Sequence, residues 1–201
     1  DQTTLSPTFD NDAANSSANE LNTVSTGAVN GSREARGDIS TTVDTDALPR
    51  VNLSAPSGPV SLGSTITYTE SACNDGLRVL NPVTGDSQVY IVSPIPAGTQ
   101  LTNVATLVAA YPGVQFTTSA LSTAPLSATW ANLTAVTPVA TITRIRIPVG
   151  ASIAPGTCTS NFTFDVTVTT NNANTPIFEI VDVFGSNSLG VTLTDQSGDN
   201  T

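Results

Sequence analysis

The stretch "NFTFDVTVTT" (161–170) decides the fold. Phe162, Phe164, Val166 and Val168 alternate with Thr163, Asp165, Thr167 and Thr169. A period of two sends successive side chains to opposite faces of an extended chain, so this is a strand with one buried and one wetted face. The same period recurs on either side. "TITRIRIPVG" (141–150) sets Thr143, Ile145 and Ile147 on one face and Arg144 and Arg146 on the other. "STITYTESACNDG" (64–76) alternates through Ile66, Tyr68 and Ala72 and stops at the turn-forming Asn74-Asp75-Gly76. "SQVYIVSPIPAG" (87–98) is a β-rich run ended by Pro94, Pro96 and Gly98, and "PIFEIVDVF" (176–184) and "LGVTLTD" (189–195) close the chain.

Two segments read less sharply. "LTNVATLVAAYPG" (101–113) suits a strand or a short helix until Pro112-Gly113 ends it, and "ATWANLTAV" (128–136) carries the only Trp, expected to anchor the core. No segment has sustained helical periodicity. About eight strands at this spacing predict an all-β fold, an Ig-like antiparallel β-sandwich over residues 51–201. Residues 1–50 form an extended N-terminal arm ahead of it.

The arm is of another composition. Asn, Ser, Thr and Asp dominate residues 1–38, and large apolar side chains are rare. Such a segment buries too little apolar surface to offset the entropy of ordering it. Its best β pattern is "NELNTVSTGAVNG" (19–31), with Leu21, Val24, Ala28 and Val29 before an Asn30-Gly31 turn. Ile39, Thr41 and Val43 alternate again, as do Val51 and Leu53, with Pro49 and Pro56 marking weak edge strands.

Charge is scarce: 11% of residues, with 16 acids against 6 Arg and a formal net charge of −10. An acidic surface repels a phosphate backbone, so nucleic acid is not an expected partner. There is no His and no Lys. Ser-His-Asp and Cys-His catalysis, Schiff-base chemistry and lysine-based covalent pilus linkages are therefore out of reach. Carboxylates, Tyr and Arg remain, but 8 of the 16 acids fall in the first fifty residues, where no scaffold is evident. The expectation is a protein that is not an enzyme and has no cofactor.

Cys73 and Cys158, 85 residues apart, are too few for a zinc cluster and too distant for a redox motif. They are expected to form one structural disulfide joining two strands, which implies an oxidising compartment. With no apolar run long enough to span a membrane, the chain reads as a secreted protein beginning at Asp1 after signal-peptide removal, at the cell surface or beyond.

Taken in order, "GSTITYTESACNDG" (63–76), "VYIVSPIPAGTQLTN" (89–103), "TITRIRIPVGASIAPGTCTSNFTFDVTV" (141–168) and "TDQSGDNT" (194–201) resemble the Ig-like conserved-repeat domain of bacterial and archaeal surface proteins, the family called domain of unknown function eleven. The resemblance covers residues 60–200 and rests on Gly63, Tyr68, Asn74 and Gly76, then Pro96 and Gly98, then Pro155 and Gly156. It implies a module of envelope-exposed proteins or fibres, without an active site. Three features depart from the pattern. Ser93-Pro94 stands where an Asp usually precedes the Pro-x-Gly turn, "NPVTGDS" (81–87) reads as an added hairpin, and the Cys pair is not a family mark.

Smaller motifs carry less. Arg36-Gly37-Asp38 spells an integrin-type tripeptide but reads as an exposed turn. Sequons stand at Asn15, Asn30, Asn52, Asn132 and Asn161, candidate glycosylation sites in a chain whose composition produces sequons freely. "DNDAAN" (10–15) and "DQSGDN" (195–200) offer oxygen ligands for calcium but lack a full loop, so no metal is expected. Arg144 and Arg146 form an outward polar face, with Asp165, Glu179 or another subunit's acidic arm as partners.

A sandwich without chemistry and an arm without a core have one economical explanation. The arm, through Leu21–Val29 or Ile39–Val43, pairs with the next identical molecule, and repetition of this head-to-tail contact builds a filament. The partner is the chain itself. The alternative is a monomeric adhesion or carbohydrate-binding module of a larger surface protein, with surface glycans as partner.

Overall fold

The computed structural model describes residues 8–10, 34–36, 46–170, 176–177 and 179–197. The chain divides into two compact units, Asp1–Val43 and Asp44–Thr201. In the first, β1 (Thr8–Asp10) pairs antiparallel with β2 (Glu34–Arg36), Thr8 opposite Arg36. Arg36 of the Arg-Gly-Asp tripeptide thus ends a strand. Leu21, Val24, Ala28, Val29, Ile39 and Val43 lie outside the described residues.

The second unit runs β3 (Pro49–Ser54), β4 (Thr65–Asn74), β5 (Val89–Pro94), β6 (Thr99–Thr102), α1 (Val104–Ala110), β7 (Gln115–Thr117), β8 (Ala131–Asn132), β9 (Arg144–Gly150), β10 (Thr157–Cys158), β11 (Phe162–Val168), β12 (Asp182–Ser186) and β13 (Thr192–Gln196). One sheet has the order β3-β4-β11-β6, with β10 beside the end of β4; the other is β13-β12-β5-β9-β7-β8. Each pairing is antiparallel, and the two sheets form a sandwich.

Alternation sets the register. Phe164, Val166 and Val168 of β11 are buried, opposite Tyr68, Ile66 and Thr99 of the flanking strands. A one-residue slip would turn this whole apolar row outward, so the buried face fixes the pairing. Tyr68 and Phe164 stack with ring centroids 5.3 Å apart. Ile91 of β5 sits between Ile147 of β9 and Val183 of β12, and each of the three is fully buried. Burial of one such side chain contributes about 1.5–3 kcal/mol.

The ambiguous segment 101–113 divides between both structures. β6 ends at Thr102, Asn103 adopts a left-handed conformation (φ 51°), and α1 then buries Val104 and Leu107. Seven residues are too few to display a helical period in sequence, and tertiary packing supplies what propensity does not. The expected hairpin at 81–87 is instead a turn, closed by Asp86 N–H to the Val83 carbonyl. Its leading residues bridge outward, Leu80 to Ile153 and Asn81 to Ser186. Gly76 marks a close approach: a Cβ there would fall 2.1 Å from the Asp46 carbonyl oxygen.

Candidate functional site

The core consists of two apolar clusters. Ile66, Tyr68, Ile145, Phe164 and Val166 belong to one; Ala72, Leu80, Ile91, Val181 and Val183 belong to the other. Glu70 interrupts the inward row of β4 between Tyr68 and Ala72, and Ser93 interrupts that of β5. Both are buried, and Ser93 Oγ donates a 2.7 Å hydrogen bond to Glu70 Oε1 across the sandwich. Glu70 Oε2 has no hydrogen-bond partner among the described residues.

A second acid faces the same interior. Glu179 precedes β12 with the parity of the inward Val181 and Val183, and both its carboxylate oxygens are buried without a partner among the described residues. Burial drives the Glu70 carboxyl up to about 8, opposed by the Ser93 hydrogen bond. Burial first, then the nearby Glu70 charge, drives Glu179 up to about 10. The Tyr68 phenol is pushed up to about 12 by burial and by Glu179. Removing a carboxylate from water without a cation is so costly that the group takes up a proton instead. Glu179 is therefore not the arginine partner that the sequence suggests. The inward parity it shares with Ile177, Val181 and Val183 was the signal for its true place.

The two arginines find other partners. Arg144 is only 5% exposed, and its guanidinium donates to the carbonyls of Ala120 and Leu121. Arg146 donates to Gln115 Oε1 at 2.6 Å, pairs with Asp86 at 3.1 Å, and lies 4.0 Å over the Tyr90 ring and 4.9 Å over Trp130. Asp165 instead accepts from Thr67 Oγ1 and Asn103 Nδ2. Trp130 is half-buried at the rim rather than anchoring the core, because its indole N–H reaches the Pro125 carbonyl there.

Cys73 and Cys158 form the expected disulfide, joining β4 to β10. Asn74 follows, wholly buried, and ties four backbone groups. Its Oδ1 accepts from the N–H groups of Leu48 and Gly76, and its Nδ2 donates to the carbonyls of Arg78 and Ile153. Asp195, weighed as a calcium ligand, accepts the backbone N–H of Val51 and so caps the edge of β3. Among the described residues no group of three or more acids, Cys or His converges on one point. Asn52, Asn132 and Asn161 are exposed; Asn15 and Asn30 lie outside the described residues. No helix among the described residues is long and apolar enough to cross a membrane.

A model of a domain family described as a domain of unknown function, DUF7925, matches residues 50–201. Its description names neither an Ig-like nor a surface-repeat domain. No curated protein matches the chain. Among solved structures, the sporulation control protein Spo0M from Bacillus subtilis is similar at 12% identity and a TM-score of 0.32, over 75% of this chain and 47% of that one. The chain therefore spans about half the length of that structure, and a likeness of this degree carries no functional argument.

Proposed function

We propose that this chain, which belongs to the DUF7925 family through residues 50–201, is a structural subunit of an extracellular, pilus-like filament. Its N-terminal arm is donated head-to-tail to the sandwich of the next subunit. The observation that carries the reading is the division of the chain. Asp44–Thr201 closes its own two-cluster core, while Asp1–Val43 is a separate unit ahead of it. Within Asp44–Thr201, β3 is an edge strand of its sheet, and a sheet edge is where a segment donated by another copy can pair. A heterologous contact of this kind repeats without closing. The disulfide suits an oxidising exterior, and the resemblance to surface-repeat domains points the same way.

Electron microscopy of the purified protein tests the proposal. Long fibres that resist detergent support it, and particles that stay monomeric at high concentration overturn it. Removal of residues 1–38 should leave soluble sandwiches that no longer assemble.

A further inference from the structure

We infer that Glu70 and Glu179 form a proton-held interlock between the two sheets, so that the sandwich is most stable in acidic surroundings and loosens as the pair ionises. Glu70 belongs to one sheet and Glu179 leads into β12 of the other. Three of their four carboxylate oxygens are buried and have no partner among the described residues, and the fourth is held by Ser93. A protonated carboxyl fits such a place better than a carboxylate, since it carries no charge to desolvate. Two carboxylates do not, because each loses its hydration and each repels the other.

Among the described residues, the groups around the pair supply no counter-charge. On β4 the neighbour is Tyr68, itself held protonated. Beside Glu70 in register are Leu53 of β3 and Phe162 of β11, and across the core is the hydroxyl of Ser93. Arg144 and Arg146 of β9 are turned to the opposite face, toward loop carbonyls, Gln115 and Asp86. Asp182 faces away from the pair, near Arg144, Asp195 and Gln196.

The sign follows from the direction of the shifts. Both acids ionise later folded than unfolded, so the folded state holds protons that the unfolded state releases. The stabilisation is complete below the ordinary glutamate value of 4.5 and is lost as pH rises through about 8 for Glu70 and about 10 for Glu179. Asp75, lowered by Arg50, acts in the opposite sense, but that pair is exposed and weak.

Urea unfolding of the wild type, Glu179→Gln and the Glu70→Gln/Glu179→Gln double variant across this pH range tests the interlock. Glutamine imitates a protonated carboxyl in shape. The wild type should be most stable at acid pH and decline steadily above 4.5. The double variant should match it in acid and lose most of the decline. Parallel profiles, or a wild-type maximum above 8, overturn the inference. Infrared spectroscopy of the folded protein at neutral pH gives a second reading that does not depend on the double variant folding. A protonated-carboxyl C=O band, reduced in Glu179→Gln, is expected; its absence from the wild type overturns the inference.

Discussion

Asn74 Oδ1 accepts the backbone N–H of Leu48 at 3.0 Å, tying the start of the sandwich to the end of its longest strand. The same side chain holds the Gly76 N–H and the carbonyls of Arg78 and Ile153, so one buried amide organises a corner where three chain segments meet. A buried group left unpaired costs about 1–3 kcal/mol. Asn74→Ala orphans several at once, and we expect a loss of about 3–5 kcal/mol in urea unfolding. Asn74→Asp keeps the two acceptor bonds but leaves two carbonyls unpaired and adds a buried charge. Its deficit should therefore grow as pH rises, where that of Asn74→Ala stays constant.

The disulfide beside this corner closes an 85-residue separation. Chain-entropy reasoning assigns such a link about 4–5 kcal/mol, through restriction of the unfolded chain. The Cys73→Ser/Cys158→Ser protein should unfold at correspondingly lower urea with the native fold retained, and reduction of the wild type should give the same shift. Calorimetry of both forms checks the expectation.

Ser93→Ala separates the hydroxyl from the acid it serves. The Ser93 hydrogen bond favours the ionised form of Glu70 and so holds its carboxyl below the value that burial alone would set. Its loss leaves Oε1 unpaired at a cost of about 1–3 kcal/mol and moves Glu70 further upward. The variant should be less stable than wild type throughout, and the gap should widen as pH passes about 8, where the wild-type carboxylate leans on the hydroxyl. Urea titrations on either side of that value supply the measurement.

Much of the sandwich is legible in its alternation, because the period of two in Phe162–Val168 is the geometry of a strand with one buried face. The strand end at Asn74-Asp75-Gly76 was readable from its local turn residues, and the cystine from there being only two cysteines far apart in sequence. Glu70 and Glu179 were readable in principle, since each occupies an inward parity, Glu70 after Ile66 and Tyr68, Glu179 before Val181 and Val183. Assigning Glu179 by charge rather than parity hid it. Arg144 was not readable, because what buries it is a pair of loop carbonyls more than twenty residues away, at Ala120 and Leu121. The helix after Asn103 was hidden by its length, and the rim position of Trp130 depends on an acceptor at Pro125 that no period reveals.

That rim carries a spectroscopic probe. Trp130 is the sole tryptophan, and the Arg146 guanidinium lies over its ring and over that of Tyr90. The planar guanidinium also reaches Asp86 and Gln115, a set of contacts that a lysine ammonium cannot reproduce. Arg146→Lys should lose about 1–2 kcal/mol, combining a weakened cation–π contact with lost hydrogen bonds. Arg146→Ala should also uncover the indole and shift its emission to the red in the folded state, before any denaturant is added. Arg144→Ala removes a cation from the same strand without touching the tryptophan. Its emission should stay at the wild-type wavelength even though its unfolding midpoint falls, and a red shift of equal size in both variants would mean that general loosening, not the stacked guanidinium, sets the environment of Trp130.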